Sequence, residues 1–485
     1  MTIEVEAQPS VSGLRSECLP FWEVMAQSIA NIAPTVTPTI NLGLVYASSG
    51  NGSWLAFVIA TIGLVFVSFN INQFASRSAS PGSIYSYVAK GLGAMAGVIC
   101  GWALILAYVA TAMAVLSAFG NYGGILLGLV GLKFSPIFLF AIGAGLVWYI
   151  AYKDIQVSAI MMLLMEAASV SLILILSAIV WFHKDFALPS AQLTLHEVTP
   201  KGIAQGLVLA VFSFVGFESA TALGDEAKNP LRTIPNSVVL STIAAGLFFI
   251  VVTLIEVLGF NGSPTPLDKS DAPLNYLANA AGVGWLGVII SMGAMVSFFA
   301  CTLACINAGA RIFFTMARHR LFHPSIGSAH QSNQTPYVAV TMTTLFTFLV
   351  IASLSMFGIK NLDIYGYMAT IGTFGFLLAY ILISIAAPVY LNRLGQLRPI
   401  NILLAIVAIA FMMIPVVGSV GIPGKDSIFP VPDFPSNVFP YLFLMFLVVG
   451  GVWFLMLRLH SPEIIEEMER DIEAVHTKFS DMRKV

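Results

Sequence analysis

The amino-acid sequence predicts an all-α polytopic membrane protein with about 12 transmembrane helices, and three observations carry that prediction. Of 485 residues, 58% are hydrophobic and 9% charged, a balance that no water-facing surface tolerates. Apolar windows long enough to cross a bilayer recur about twelve times along the chain. The first and the sixth of these windows are interrupted by residues that a plain helix does not accommodate. The alternating polarity of an outer-membrane barrel is absent.

A short polar segment, 1–20, precedes the first span at 21–47. That span holds Asn31-Ile32-Ala33-Pro34-Thr35-Val36-Thr37-Pro38, in which Pro38 lacks the amide that would bond the Pro34 carbonyl. The spacing predicts unwinding; the alternative is the smooth kink that prolines often give in membrane helices. Spans two to five follow at 53–75, 94–127, 134–152 and 157–182. Span six, 202–224, carries Phe212-Ser213-Phe214-Val215-Gly216-Phe217-Glu218, a glycine and a carboxylate inside an apolar run. A carboxylate at the bilayer centre costs about 2.5–3.5 kcal/mol on insertion scales, and glycine lets the backbone unwind where it faces a protein cavity. A polar loop, Asp225-Glu226-Ala227-Lys228-Asn229-Pro230-Leu231-Arg232-Thr233-Ile234-Pro235, closes the segment. Spans seven to twelve fall at 237–260, 283–317, 336–357, 363–390, 401–421 and 438–459.

Spans three and eight are the longest, at roughly 35 residues, which a bilayer accepts only with strong tilt or a protruding end. Broken spans one and six and long spans three and eight predict a 5+5 inverted repeat, helices 1–5 in 21–182 and helices 6–10 in 202–390, followed by two extra helices in 401–459. Five is odd, so the second set starts from the opposite side. Interrupted helices at matching positions point to a solute site near the midplane. In the tail, 460–485, Ser461-Pro462-Glu463 reads as the start of a helix. Ile464, Ile465, Met468, Ile472, Val475 and Phe479 then make it amphipathic. This helix packs on the membrane face or on a neighbour, or it regulates.

Basic residues set the orientation. With both termini on the cytoplasmic side, that side carries 16 of the 22 Lys and Arg residues. Lys133, Lys184, Lys201, Lys269, Lys360 and Lys425 face the other way. The sequence thus places a multi-pass protein in the plasma or inner membrane with N- and C-termini cytoplasmic. No basic stripe for nucleic acid is visible. Cys18, Cys100, Cys301 and Cys305 make no extracellular disulfide framework, and the first apolar segment lacks the form of a cleavable signal. Nothing in the sequence bears on oligomeric state.

Four segments carry a likeness: Phe214-Val215-Gly216-Phe217-Glu218 with Glu226-Ala227-Lys228-Asn229-Pro230-Leu231-Arg232-Thr233-Ile234-Pro235; Ser80-Pro81-Gly82-Ser83-Ile84-Tyr85-Ser86-Tyr87; Gly101-Trp102 with Tyr108; and Ala308-Gly309-Ala310-Arg311 through Pro324, then Thr335-Pro336-Tyr337. With these, the chain resembles the amino acid permeases of the amino acid, polyamine and organocation (APC) transporter superfamily over nearly its whole length. The resemblance implies alternating access, spans one, two, six and seven rocking against the rest with substrate between the two breaks. It implies span-one contacts to a substrate carboxylate at Ile32, Pro34, Thr35 and Val36, and span-six contacts to its amine at Phe212, Ser213 and Val215. Half-helix termini supply the physics, since exposed amides attract anions and freed carbonyls attract cations. One departure stands out. Where the family commonly has glycines, Pro34 offers no amide and Val36 restricts close approach, so the hydroxyls of Thr35 and Thr37 take over as donors, or the substrate lacks a carboxylate.

Three acids lie within spans away from their ends, Glu166, Glu218 and Glu256, and no lysine or histidine does. A buried carboxylate without a base stays protonated, binds a cation, or is neutralised by a substrate amine. Relatives with an acid at the position of Glu218 use it in gating linked to protonation, so Glu218 is assigned to proton coupling or gating. Glu166 falls where several relatives place a lysine that replaces a sodium ion; the charge is reversed, leaving a proton site or a neutral carboxyl bridging helices. Glu256, near an end of span seven where water is close, reads as structural. Phe212 and Phe217 with Tyr108 opposite form either a gate over the substrate or ordinary packing. Ser297 either lines the site or serves helix contact. Cys301 and Cys305 stand four apart with no further ligand nearby, so neither a metal site nor a cofactor is predicted.

Two readings remain open: a secondary active transporter of amino acids, proton-linked through Glu218 and Glu166 in symport or exchange, and a carrier of polyamines or other organocations. An enzyme is unsupported, because no triad, metal cluster or nucleotide loop is present. The predicted partners are a small amino acid or amine, protons and the lipid bilayer.

Overall fold

The computed structural model describes residues 12–270, 272–424 and 426–482; Lys425, the basic residues Arg483 and Lys484, and the 1–20 segment before Ser12 lie outside them. Among the described residues all regular structure is helical. Ten helical stretches are long and apolar enough to cross a membrane. The first, Phe21–Ala75, holds two spans, and Pro200–Phe212 begins a further, broken one, so the chain makes the twelve crossings expected.

The first crossing is α1 (Phe21–Ile32), a π-helical turn (Thr37–Asn41) and α2 (Leu42–Ser49). α3 (Ser53–Ala75) returns, and a short α4 (Ser83–Leu92) lies between it and α5 (Ala94–Leu129). α6 (Pro136–Lys153) begins on a proline, which suits a first helical turn. α7 (Ile155–His183) begins on Asp154, whose carboxylate accepts from the amides of Gln156 and Val157. A short α8 (Ser190–Leu193) precedes α9 (Pro200–Phe212), capped by Thr199. Beyond the second break come α10 (Pro230–Phe260), the short α11 (Pro273–Ala280), α12 (Gly284–Arg318), α13 (Tyr337–Met356), α14 (Asn361–Arg393), α15 (Pro399–Val420), α16 (Phe439–His460) and α17 (Pro462–Met482).

α5 and α12, 36 and 35 residues long as expected of spans three and eight, form the centre of the bundle. Their most apolar windows are 78% and 72% buried, against 22% and 17% in α15 and α16, so the last two helices sit at the rim. α14 packs against α5 closely enough that a Cβ at Gly375 would meet the Ala103 carbonyl at 2.3 Å. The outer faces carry exposed Leu345, Phe346 and Leu349 on α13, and Tyr441, Leu444, Met445 and Val448 on α16. At helical spacing these are the lipid-facing stripes of a membrane bundle rather than docking patches.

One end of the bundle gathers the start and the end of the described chain. Glu17 and Leu19 donate their amides to the carbonyls of Asp225 and Glu226, and Lys228 donates back to Leu19. Arg15 reaches across to Asp154 at 2.8 Å, and its amide donates to the Gln334 carbonyl. We call this end the terminal face.

Candidate functional site at the two helix breaks

The first break lies where the prolines predict unwinding. α1 stops at Ile32, Ala33 takes a left-handed conformation at φ 48°, and Val36 closes a turn on the Ala33 carbonyl before the π-helical turn begins. Pro34 and Val36 lie in this turn on either side of Thr35, and Thr37 follows. Both threonines are buried, and their hydroxyls find no partner among the described residues. An unsatisfied buried hydroxyl costs about 1–3 kcal/mol, so this is a position with donors to spare.

The second break spans Ser213 to Glu218, between α9 and a 3-10 turn at Ser219–Leu223. Its pivot is Gly216 at φ 87°, where a Cβ would fall 1.6 Å from Asn31 Nδ2. That close approach is used: Asn31 Nδ2 donates to the Gly216 carbonyl at 3.2 Å and so joins the two breaks. Further ties run between the same two segments. Ala220 donates its amide to Ser28 Oγ at 3.1 Å, and Ser219 Oγ donates to the Gln27 carbonyl at 3.0 Å. Past the breaks, Asn41 Nδ2 donates to Ser213 Oγ at 3.3 Å while its Oδ1 accepts from Tyr365 at 2.9 Å. Cys305 Sγ lies 2.9 Å from Asn31 Oδ1, and Cys301 Sγ lies 3.4 Å from the Asn31 carbonyl. Both thiols are donors to one asparagine.

Glu218 is fully buried and held by two phenols. Tyr108, from α5, donates to Oε1 at 2.7 Å; Tyr380, from α14, donates to Oε2 at 2.5 Å. Tyr380 also accepts from the Gly216 amide at 3.0 Å, so one hydroxyl links the carboxylate to the pivot of the break. Rings close around the group: Phe217 lies 5.0 Å from Tyr380, and Phe376 meets Tyr108 edge-on at 5.0 Å. No basic side chain pairs with Glu218 among the described residues.

The remaining candidates are placed as follows. Ile32 ends α1, and Ser213 and Val215 are buried in the second break. Phe212 ends α9 and is only partly buried, at the margin of the core. Phe217 faces Tyr380 rather than Phe212, so the two phenylalanines do not form one lid. Ser297 is fully buried and donates to Glu166, with Oε1 at 2.8 Å and Oε2 at 3.0 Å; the pair joins α12 to α7. Glu256 departs from the expectation of nearby water, being 2% exposed with neither oxygen bonded among the described residues. Three neighbours of the breaks escaped the sequence reading, Asn41, Tyr365 and Tyr380, and Asn31 enters it only as the start of the first break. The asparagines, polar residues inside an apolar span, carried a signal; the tyrosines did not, since an aromatic there usually packs.

Below the breaks, towards the terminal face, Arg311 and Glu226 form a buried ion pair. Nε and Nη2 both donate to Glu226 Oε1, at 2.9 and 2.6 Å, and Nη1 donates to the Asn307 carbonyl at 2.9 Å. The pair ties α12 to the loop after span six on the side opposite α2.

Comparisons with known proteins agree with this architecture. The model of the family described as "Amino acid permease" matches residues 23–461. The branched-chain amino acid permease BcaP of Bacillus subtilis (strain 168) is 27% identical over 358 residues, covering 70% of this chain and 73% of its own. The methylthioribose transporter of the same organism is 25% identical over 371 residues, covering 73% and 77%. Cationic amino acid transporter 4 of Mus musculus is 25% identical over 355 residues, covering 66% of this chain and 54% of its own. Among solved structures, a substrate-bound, outward-open Na+-coupled sialic acid symporter superposes with a TM-score of 0.51 at 13% identity, covering 84% of this chain and 91% of its own, a likeness of fold. A family match over nearly the full length, on a twelve-crossing helical frame broken twice, places the chain in the amino acid permease family of the APC superfamily, as a multi-pass membrane transporter.

Proposed function

We propose that this protein is a secondary active transporter that moves amino acids across the cell membrane by alternating access, in proton-linked symport or exchange, with both termini cytoplasmic. Glu218 carries the reading: a buried carboxylate with two phenol donors and no basic side chain paired to it among the described residues, one hydroxyl away from the helix break. Ionised, it accepts from both tyrosines, and Tyr380 takes the Gly216 amide on its free lone pair. Protonated on Oε2, it becomes a donor to Tyr380, whose own hydrogen must turn elsewhere. Loading a proton therefore changes the hydrogen bonding of the pivot itself.

The substrate site of this proposal lies between the breaks. The unpaired hydroxyls of Thr35 and Thr37 act as donors to a carboxylate in place of the amide that Pro34 lacks. Carbonyls around Phe212, Ser213 and Val215 receive the amine, with Ile32 and Val36 beside them and Tyr108 bridging to Glu218. Spare donors in span one favour a carboxylate-bearing substrate over a bare organocation. The matches to branched-chain and cationic permeases leave the side-chain class to experiment. Glu166, tied to Ser297, is a second candidate for the coupled proton. Each repeat of five helices, 21–182 and 202–390, contributes its first two spans to the moving unit and the other three to the frame.

Two measurements test this. Thermal stabilisation of detergent-purified protein across amino acids, polyamines and sugars is expected to single out one amino-acid class; stabilisation by amines alone transfers the site to the organocation reading. Proton-driven uptake by E218Q in proteoliposomes is expected to lose its pH dependence while binding persists. An unchanged pH profile removes Glu218 from coupling.

A further inference from the structure

Beyond Ser461 the chain turns into α17, which lies against the terminal face. Met468, Ile472 and His476 recur every fourth residue and are all buried, so one stripe of the helix is docked. His476 sits at the centre of the contact. Its Nδ1 lies 3.2 Å from the Ile472 carbonyl, which can only accept, so Nδ1 carries the hydrogen. Nε2 is then the bare nitrogen, 3.1 Å from Ser78 Oγ, whose hydroxyl donates to it. The ring meets Tyr390 of α14 edge-on at 5.8 Å.

The titratable and charged groups around it come from α4, α14 and α17 itself. α4 supplies Lys90 and Tyr87, the latter donating to the Ser78 carbonyl; α14 supplies Tyr390 and Arg393, which donates to the Lys90 carbonyl; α17 itself supplies Glu473. Two ion pairs fasten the helix, Glu473 to Lys90 and Glu467 to Arg320 at 3.1 Å. Burial raises the Asp225 carboxyl, and the Ser12 hydroxyl and then the Lys478 ammonium offset part of that rise.

These anchors fall into two sets. Ser78, bonded to His476, follows α3, one of the spans that rock in the proposed cycle. Lys90 leads into α5, Arg320 follows α12 and Tyr390 lies in α14, all parts of the surrounding frame. A rigid helix bonded to both sets resists their separation at this face.

We propose that α17 is an autoinhibitory latch across the cytoplasmic seam, with His476 as its acid-sensitive pin; the proposal rests on the alternating-access reading above. Burial, then the neighbouring Lys90 ammonium, push the docked imidazole down to about 4. A released histidine titrates near 6.5, so the undocked helix binds the proton more tightly. The sign follows from linkage: docking is full above about pH 6.5 and loses about tenfold per pH unit below it, levelling off near 4. Cytoplasmic acidification frees the face to open.

Hydrogen exchange of segment 462–482 in the full-length protein, corrected for the intrinsic pH dependence of amide exchange, tests the pin without any substrate. Protection is expected at pH 7.5 and a loss of at least tenfold at pH 5, whereas H476Q, neutral at both, keeps its protection. Amino acid counterflow in proteoliposomes tests the latch. Deletion of 462–485, and separately E467Q/E473Q in the full chain, are expected to raise the rate several-fold at pH 7.5 and to flatten its response to cytoplasmic pH. Equal protection of wild type at the two pH values, or rates unchanged by both alterations, overturns the proposal. If no amino acid is carried at all, the transport reading fails, while hydrogen exchange still decides the pin.

Discussion

Arg311 is 1% exposed, and a guanidinium keeps its charge anywhere in a protein, so the residue is tolerable only because Glu226 and the Asn307 carbonyl take up its donors. Removing one partner of such a pair leaves the other bare and costs about 3–5 kcal/mol, whereas replacing both can be nearly neutral. R311M is therefore expected to lower the melting temperature of the purified protein sharply, and R311M/E226Q to recover most of it. The same residues show what is legible in a single sequence. Glu218 stood out because a carboxylate in an apolar run needs a reason, and Arg311 because of its motif. Tyr380 did not. It meets Glu218 across 162 residues of chain, and only the packing of α14 beside the break in span six brings the two together.

The helix breaks are over-determined as elements. Proline removes amides on one side, glycine supplies a positive φ on the other, and Asn31 bonds the two segments together. G216A is expected to abolish uptake: the new methyl group collides with Asn31, and a non-glycine residue at φ 87° carries strain of about 1–3 kcal/mol. Adding N31A removes the collision but not the strain, so melting temperature is expected to rise part of the way back while uptake stays lost. The positions of both breaks were legible because proline and glycine act through local backbone chemistry. The way the breaks lock together was not. It depends on a side chain from one span fitting the space that a missing Cβ leaves in another.

For the whole molecule, hydropathy was enough to count the crossings, because a bilayer demands a fixed length of apolar helix. Basic-residue asymmetry predicts the orientation, and cysteine labelling checks it. A membrane-impermeant maleimide is expected to reach K133C and K201C in intact cells and E469C only after permeabilisation; the reverse pattern inverts the topology. What hydropathy did not convey is which helices are central. Length singled out α5 and α12, but only their burial sets them apart as central from α15 and α16 at the rim.

The N-terminal stretch also has a consequence for watching this protein work. Through Glu17 and Leu19 it is stitched to the loop after span six, and through Arg15 to Asp154 and Gln334 on neighbouring segments. If those two shores part during the cycle, one row of stitches must come undone while the other holds. A fluorophore on Ser16 would then travel with whichever shore keeps its grip, and a second dye on Ser332 would read that journey as a change in distance. The N-terminal stretch would serve as a built-in gauge of the opening, away from the proposed solute contacts.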